Sequence, residues 1–167
     1  MELSELVPPY VIHTLRDRLV VGVADAEAHY QNSSADEDSL TGALGHSISR
    51  HPPEFVSIGS ERYAVSIYYR KVRARGPGAP EHSTGADGIF QIDVRNAQNE
   101  IAWKKGLSFQ AKKEWSGTDS RLAGQAQDMI DGPGDGLVID YSPDGYKACD
   151  LSPSFHPPMS RVLSCVH

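Results

Sequence analysis

Gly85-Ala86-Asp87-Gly88-Ile89-Phe90-Gln91-Ile92-Asp93-Val94 and, after a turn, Leu107-Ser108-Phe109-Gln110-Ala111-Lys112 are the stretches on which the fold reading turns. Side chains alternate sides along a strand, so each stretch can be sorted by parity. In the first, Gly88, Phe90, Ile92 and Val94 share one side, and Asp87, Ile89, Gln91 and Asp93 share the other. In the second, Leu107, Phe109 and Ala111 oppose Ser108, Gln110 and Lys112. The pattern predicts two strands, each with an apolar and a polar face. Paired as a hairpin, they would bring Asp87, at the start of one, beside Gln110 and Lys112, at the end of the other.

Outward from this pair the chain reads as an α/β domain. Tyr10 to Tyr30 predicts a helix: Pro8 and Pro9 suit its start, and Val11, Leu15, Leu19 and Val23 recur at four-residue spacing. A second helix starts near Ser34 or Asp36 and runs to about Ser49. Ser34 and Glu37 have capping-box spacing, and His51-Pro52-Pro53 ends the helix. Short β-like runs follow at Phe55 to Ile58 and Arg62 to Val72, then a loop at 75–80. Beyond the central pair come a helix from Asp119 to Ile130 and strands at Leu137 to Tyr141 and Tyr146 to Cys149, separated by Pro143-Asp144-Gly145. The order α-α-β-β-β-β-α-β-β predicts layers around a mixed sheet. One domain is expected over 1–150, with an N-terminal helix at 10–30 and a core over 34–150. Residues 151–167 read as an irregular tail.

An acid, an amide and a lysine on one side suit a hard divalent cation. Mg²⁺ prefers oxygen ligands and retains several waters. Asp87 offers a carboxylate, Gln110 a side-chain carbonyl and Ala111 a backbone carbonyl. Glu37, with Asp36 and Asp38 beside it on the preceding helix, is the expected fourth ligand. Such a cation acidifies its water and neutralises phosphate charge, while Lys112 would orient that water or stabilise developing negative charge. Taken singly, Asp87 reads as a turn residue and Lys112 as an edge lysine. The weight lies in the set.

Gly85-Ala86-Asp87 followed by Gln110-Ala111-Lys112 resembles the PD-(D/E)XK, or restriction-endonuclease-like, nuclease superfamily, and its Gln variants resemble bacterial Mrr-like restriction and phage-defence nucleases. The resemblance covers roughly Ser34 to Asp150, including Glu37-Asp38-Ser39-Leu40-Thr41 and the helix with Leu122, Gln125 and Met129. It implies an α-β-β-β-α-β core and a Mg²⁺-dependent DNA endonuclease acting in prokaryotic defence, with Mn²⁺ as a substitute. Asp87, Gln110 and Lys112 would be its catalytic residues, with Glu37 beside them. The departure is Gln110, a neutral ligand where the wider superfamily has an acid. A catalytically weak nucleic-acid-binding or assembly subunit and an RNA-cleaving enzyme therefore stay open as alternatives.

The net charge of -6 taken whole argues against a nucleic-acid partner, but it is unevenly spread. Arg62 to Arg121 holds 11 Lys+Arg against 6 Asp+Glu, while the remainder is strongly acidic. Arg70, Lys71, Arg73, Lys104, Lys105 and Lys113 are the expected phosphate contacts, to double-stranded DNA in the first instance. Gln125 and Asp93 are candidates for the layer behind the ligands. A sensor or activator protein and self-association are further expected partners. No apolar run spans a membrane, Met1 to Glu5 does not read as a signal peptide, and Cys149 and Cys165 lack metal spacing. The expected compartment is the cytoplasm.

Other motifs carry less. His46 and His51 straddle a helix end, so they do not share a face. Asp128, Asp131 and Asp135 miss the EF-hand spacing, and Gly76-Pro77-Gly78 lacks the Gly-Lys-Ser/Thr ending of a phosphate loop. Tyr68, Tyr69, Trp103 and Trp115 flank basic residues and have the chemistry to stack on bases, although packing is the ordinary use of such rings.

Overall fold

The computed structural model describes residues 7–72, 85–115, 120–132 and 135–151. Arg73, the loop at 75–80 and all but Leu151 of the expected tail lie outside them. The chain is an α/β protein in which N-terminal helices precede a six-stranded mixed sheet with one further helix. No described helix is long and apolar enough to cross a membrane.

Helix α1 (Pro9–Ala28) starts on a proline whose missing N–H is no loss in a first turn. Its buried row is Val11, Leu15, Arg18, Gly22 and Ala26, not the four-residue series through Leu19 and Val23. A strict four-residue step drifts around a helix of 3.6 residues per turn, so a three-residue step brings the buried row back. The predicted single helix to Tyr30 is broken at His29, after which Tyr30–Ser33 forms a separate turn, α2. Helix α3 (Glu37–Ser49) is capped by Asp36, whose carboxylate accepts from Ser39 N–H at 2.6 Å. Ser34 therefore does not start the helix. Gly22 lets α1 approach α3, because a methyl there would lie 2.8 Å from the Ile48 backbone.

Strands β1 (Glu54–Ile58), β2 (Glu61–Lys71), β3 (Gly88–Arg95), β4 (Ile101–Lys113), β5 (Asp135–Ser142) and β6 (Gly145–Asp150) lie side by side in chain order. All neighbours are antiparallel except β4 and β5. That parallel step needs a crossover, supplied by α4 (Ser120–Asp131). The β3–β4 turn is held by the Asn96 side chain, which accepts from the N–H groups of Gln98 and Glu100.

The sheet buries both faces unequally. Val65, Ile67, Phe90, Ile92, Phe109 and Tyr141 pack beneath α1 and α3 in the main core. On the other side, Val138 and Cys149 pack with Leu122, Ala126 and Met129 of α4 in a smaller one. The expected polar face of β4 is therefore not solvent-facing throughout: Gln110 is only 1% exposed. The expected α-β-β-β-α-β order is not cleanly isolated, because β1 intervenes between α3 and β2, and β6 follows β5.

Candidate functional site

The start of β3 and the end of β4 meet at one end of the sheet. Gly88 opposes Phe109 in the ladder, which places Asp87 level with Gln110. Backbone bonds pin Asp87 on both sides: its N–H donates to Phe109 O at 2.9 Å, and its carbonyl accepts from Val72 N at 2.8 Å. The Asp87 carboxylate then closes the set. Its Oδ2 accepts from Gln110 Nε2 at 2.5 Å and from Ala111 N at 2.7 Å. The same Gln110 amide nitrogen donates to Ala111 O at 3.2 Å. Gln110 Oε1 is buried and finds no hydrogen-bond partner among the described residues.

The approach to Asp87 depends on Gly85. It adopts φ +63°, and a methyl on it would lie 2.2 Å from the carbonyl oxygen of Gln125. The Gly85-Ala86-Asp87 segment thus runs tight against α4. This gives Gln125 its place: its backbone buttresses Gly85, and its Oε1 is buried without a partner among the described residues.

The N-terminal end of α3 comes to the same end of the sheet. Lys71 at the end of β2 pairs with Asp38 at 2.9 Å, and Lys113 Nζ donates to Ser34 O at 2.5 Å. Glu37, half-buried, opens this helix. Tyr69 lies between the helix and Asp87. Methyls on Gly45 and Gly88 would lie 2.3 and 2.9 Å from its ring, and its buried hydroxyl has no hydrogen-bond partner among the described residues. Burial, with the charges of Asp87 and Asp38 adding to it, pushes the Tyr69 phenol up to about 12. Tyr141, also in this layer, is pushed up by burial, while its hydroxyl donates to Thr41 Oγ1 at 3.3 Å. Sequence reasoning set Tyr69 aside as packing. Its parity with Ile67 and Val65 marked it as inward-facing, but nothing in the sequence marked its hydroxyl.

Other expected residues are not brought together. Asp93 shares the parity of Asp87 but lies six residues along β3, roughly 20 Å away. There it accepts from Gln91 Nε2 at 2.9 Å and faces Arg95, so it does not stand behind Asp87. The basic residues also divide. Lys71 and Lys113 are taken up by α3 and the turn before it, and Lys105 pairs with Asp135. Arg70 and Lys104 instead stand exposed on the opposite face of the sheet.

No group of three or more His, Cys, Asp or Glu among the described residues is placed to hold a metal ion. A cation at Asp87 would therefore rest largely on neutral oxygens. No protein-family model matches the chain, and no curated protein matches it significantly.

Proposed function

We propose that this protein is a metal-dependent nuclease, with Asp87, Gln110, Ala111 and Lys112 as its reaction centre. The observation that carries the reading is the two-bond clasp on Asp87 Oδ2 from Gln110 Nε2 and Ala111 N. Two motifs separated by a strand and a turn thereby meet at single atoms. With β1 and β6 set aside, α3-β2-β3-β4-α4-β5 also follows the α-β-β-β-α-β order that the resemblance implies.

The donor set fits Mg²⁺. Asp87 Oδ2 and Ala111 O already converge on the Gln110 head group, which makes a hydrogen bond to each. The buried Gln110 Oε1 is the oxygen that a turn of that amide would present to the same neighbours. Asp87, Gln110 and Ala111 would hold the ion, with Glu37 at the nearby helix end. Bound there, Mg²⁺ supplies phosphate charge neutralisation and a water of lowered pKa. Asp87 is oriented by the bonds it accepts from Gln110 Nε2 and Ala111 N. Lys112, on the same face as Gln110, adds a positive charge where negative charge develops on phosphate. The buried strand ends fix all these groups on rigid elements, which favours catalysis by positioning.

A second reading, a nucleic-acid-binding subunit without cleavage, is favoured by the present Gln110 orientation: its NH₂ group, not its oxygen, faces the carboxylate. One experiment separates the two. Plasmid DNA and RNA are incubated with the protein and Mg²⁺, Mn²⁺ or EDTA. The nuclease reading expects metal-dependent nicking that falls at least ~100-fold in Asp87→Asn and Lys112→Ala, variants first shown to melt as the parent does. Undiminished cleavage by Asp87→Asn would refute the site. Binding without cleavage under every metal would establish the second reading.

A further inference from the structure

Strand parity divides the basic residues of the sheet into two populations with different surroundings. Lys71, Lys105 and Lys113 project toward α1 and α3 or the strand ends, and each is engaged by protein atoms. Arg62, Arg70 and Lys104 project from the other face. No carboxylate among the described residues lies within ion-pairing distance of these three. Arg95 joins them, opposite Ala64, and partly offsets Asp93, the one acid on this face of β1, β2 and β3. A chain of net charge -6 therefore carries a local cationic surface.

Among the described residues, Phe55, Arg62, Tyr68, Arg70 and Lys104 stand exposed on that surface. Among the described residues, α4 is the helix on this side, and it packs on β4 and β5. Over β2 the exposed aromatic is Tyr68, with half its surface accessible. Phe55 on β1 is still more exposed and lies under the Arg62 guanidinium, 4.5 Å from the ring centroid. The positions between the cations are small: Ala64 and Ser66 on β2, and Gly106 on β4 opposite Gln91. Arg70 stands beyond Tyr68 on the same strand, one side-chain repeat or roughly 7 Å on. It opposes Ile89, two residues from Asp87. The cations thus flank two projecting aromatic rings, and their row ends beside the start of β3, next to Asp87.

We propose that this face of β1, β2 and β3 docks single-stranded nucleic acid, with Tyr68 stacking on a base and Arg62, Arg70 and Lys104 contacting phosphates. Stacking on Tyr68 requires an unpaired base, whose π-face a duplex hides. The cations supply the sequence-independent backbone attraction. The inference deepens the nuclease reading and rests on it for the fate of the strand, while the docking itself is a binding event measurable without cleavage.

The test is fluorescence anisotropy in EDTA, using labelled single-stranded DNA, single-stranded RNA and the matching duplex over a range of salt. Either single strand is expected to bind about tenfold or more tightly than the duplex. Tyr68→Ala should weaken that binding about tenfold, and Tyr68→Phe should retain it. The Arg62→Ala/Arg70→Ala/Lys104→Ala variant should flatten the log–log salt slope by about 2, whereas Lys71→Ala/Lys105→Ala leaves it unchanged. Each substituted side chain in the first set is exposed, and thermal melts confirm that the variants fold. Duplex binding equal to single-strand binding, indifference to Tyr68→Ala, or an equal loss in the Lys71/Lys105 variant would each overturn the proposal. Binding that survives in an Asp87→Asn protein, with no cleavage by the parent, would uphold docking while removing the nuclease. Cleavage unaffected by the triple variant would do the reverse.

Discussion

Tyr69 is packed tightly enough that its hydroxyl goes without a partner among the described residues. Its ring is gripped between Gly45 and Gly88 and against Phe90 and Phe109, yet its buried hydroxyl lacks a hydrogen bond among the described residues. A buried polar group left in that state costs about 1–3 kcal/mol. Tyr69→Phe should therefore raise stability by about 1 kcal/mol, read as a higher urea midpoint at unchanged m-value. The pH dependence has a definite sign. Burial, with Asp87 and Asp38, raises the folded phenol from 10.0 to about 12. The folded state thus holds this proton more tightly than the unfolded one. The associated stability is present below pH 10 and is lost as pH rises toward 12. Tyr69→Phe should show a shallower alkaline loss over that window, and coincident curves for parent and variant would contradict this account. Much of the residue-level pattern was legible in the sequence. The two-residue strand period placed Asp87 and Gln110 correctly, because a strand gives no freedom to turn a side chain to the other face. Parity does not encode height along a strand, which is why Asp93 looked like a neighbour. Parity also separated Arg62, Arg70 and Lys104 from Lys71, Lys105 and Lys113, but pooling the charges by segment hid it.

Among the elements, α4 and the β3 entry are mutually dependent, and Gly85 is their joint. Any side chain there faces both a left-handed backbone and the Gln125 carbonyl. Gly85→Ala should destabilise the fold by about 3 kcal/mol or more, since strain and overpacking add. Hydrogen exchange should locate the loss in α4 and the first residues of β3. Protection there equal to that of the parent would disprove the joint. The other end of the site depends on the α3 cap. Asp36→Ala removes the acceptor for Ser39 N–H and should cost about 1 kcal/mol. A loss of that size in chemical denaturation, with α3 amides fraying first, checks it. Both features were only half readable. The tightness at Gly85 left no mark in the sequence, because its helix neighbour Gln125 is forty residues away in the chain. Ser34 and Asp36 offered competing caps, and the α2 turn decided between them by ending at Ser33.

At the scale of the whole molecule, the hairpin pairing of β3 with β4 was legible in the sequence, but the full strand order was not. Apolar periodicity identifies strands but does not say which are neighbours, so the parallel β4–β5 step emerged only with α4 in place. The same holds for the way α1 is fastened. A row expected to be aliphatic contains Arg18, 6% exposed, whose guanidinium donates to Val65 O at 2.5 Å and His51 O at 3.2 Å. One cation thereby ties α1 to β2 and to the connection between α3 and β1. It lines a cavity of about 430 Å³ with Asp17, Val21 and Glu54, at the opposite end of α3 from Asp87. Hydrogen bonds from a charged group contribute about 1.5–3 kcal/mol each, and truncation also strips the buried Val65 carbonyl of this donor. Arg18→Ala should therefore cost about 3 kcal/mol, or roughly 10 °C in Tm for a domain of this size. Because the clamp lies at the far end of α3, Asp87 and Gln110 should keep their geometry, and any cleavage measured well below the new Tm should fall less than about twofold. A Tm within about 2 °C of the parent would show that α1 is held by its apolar row alone.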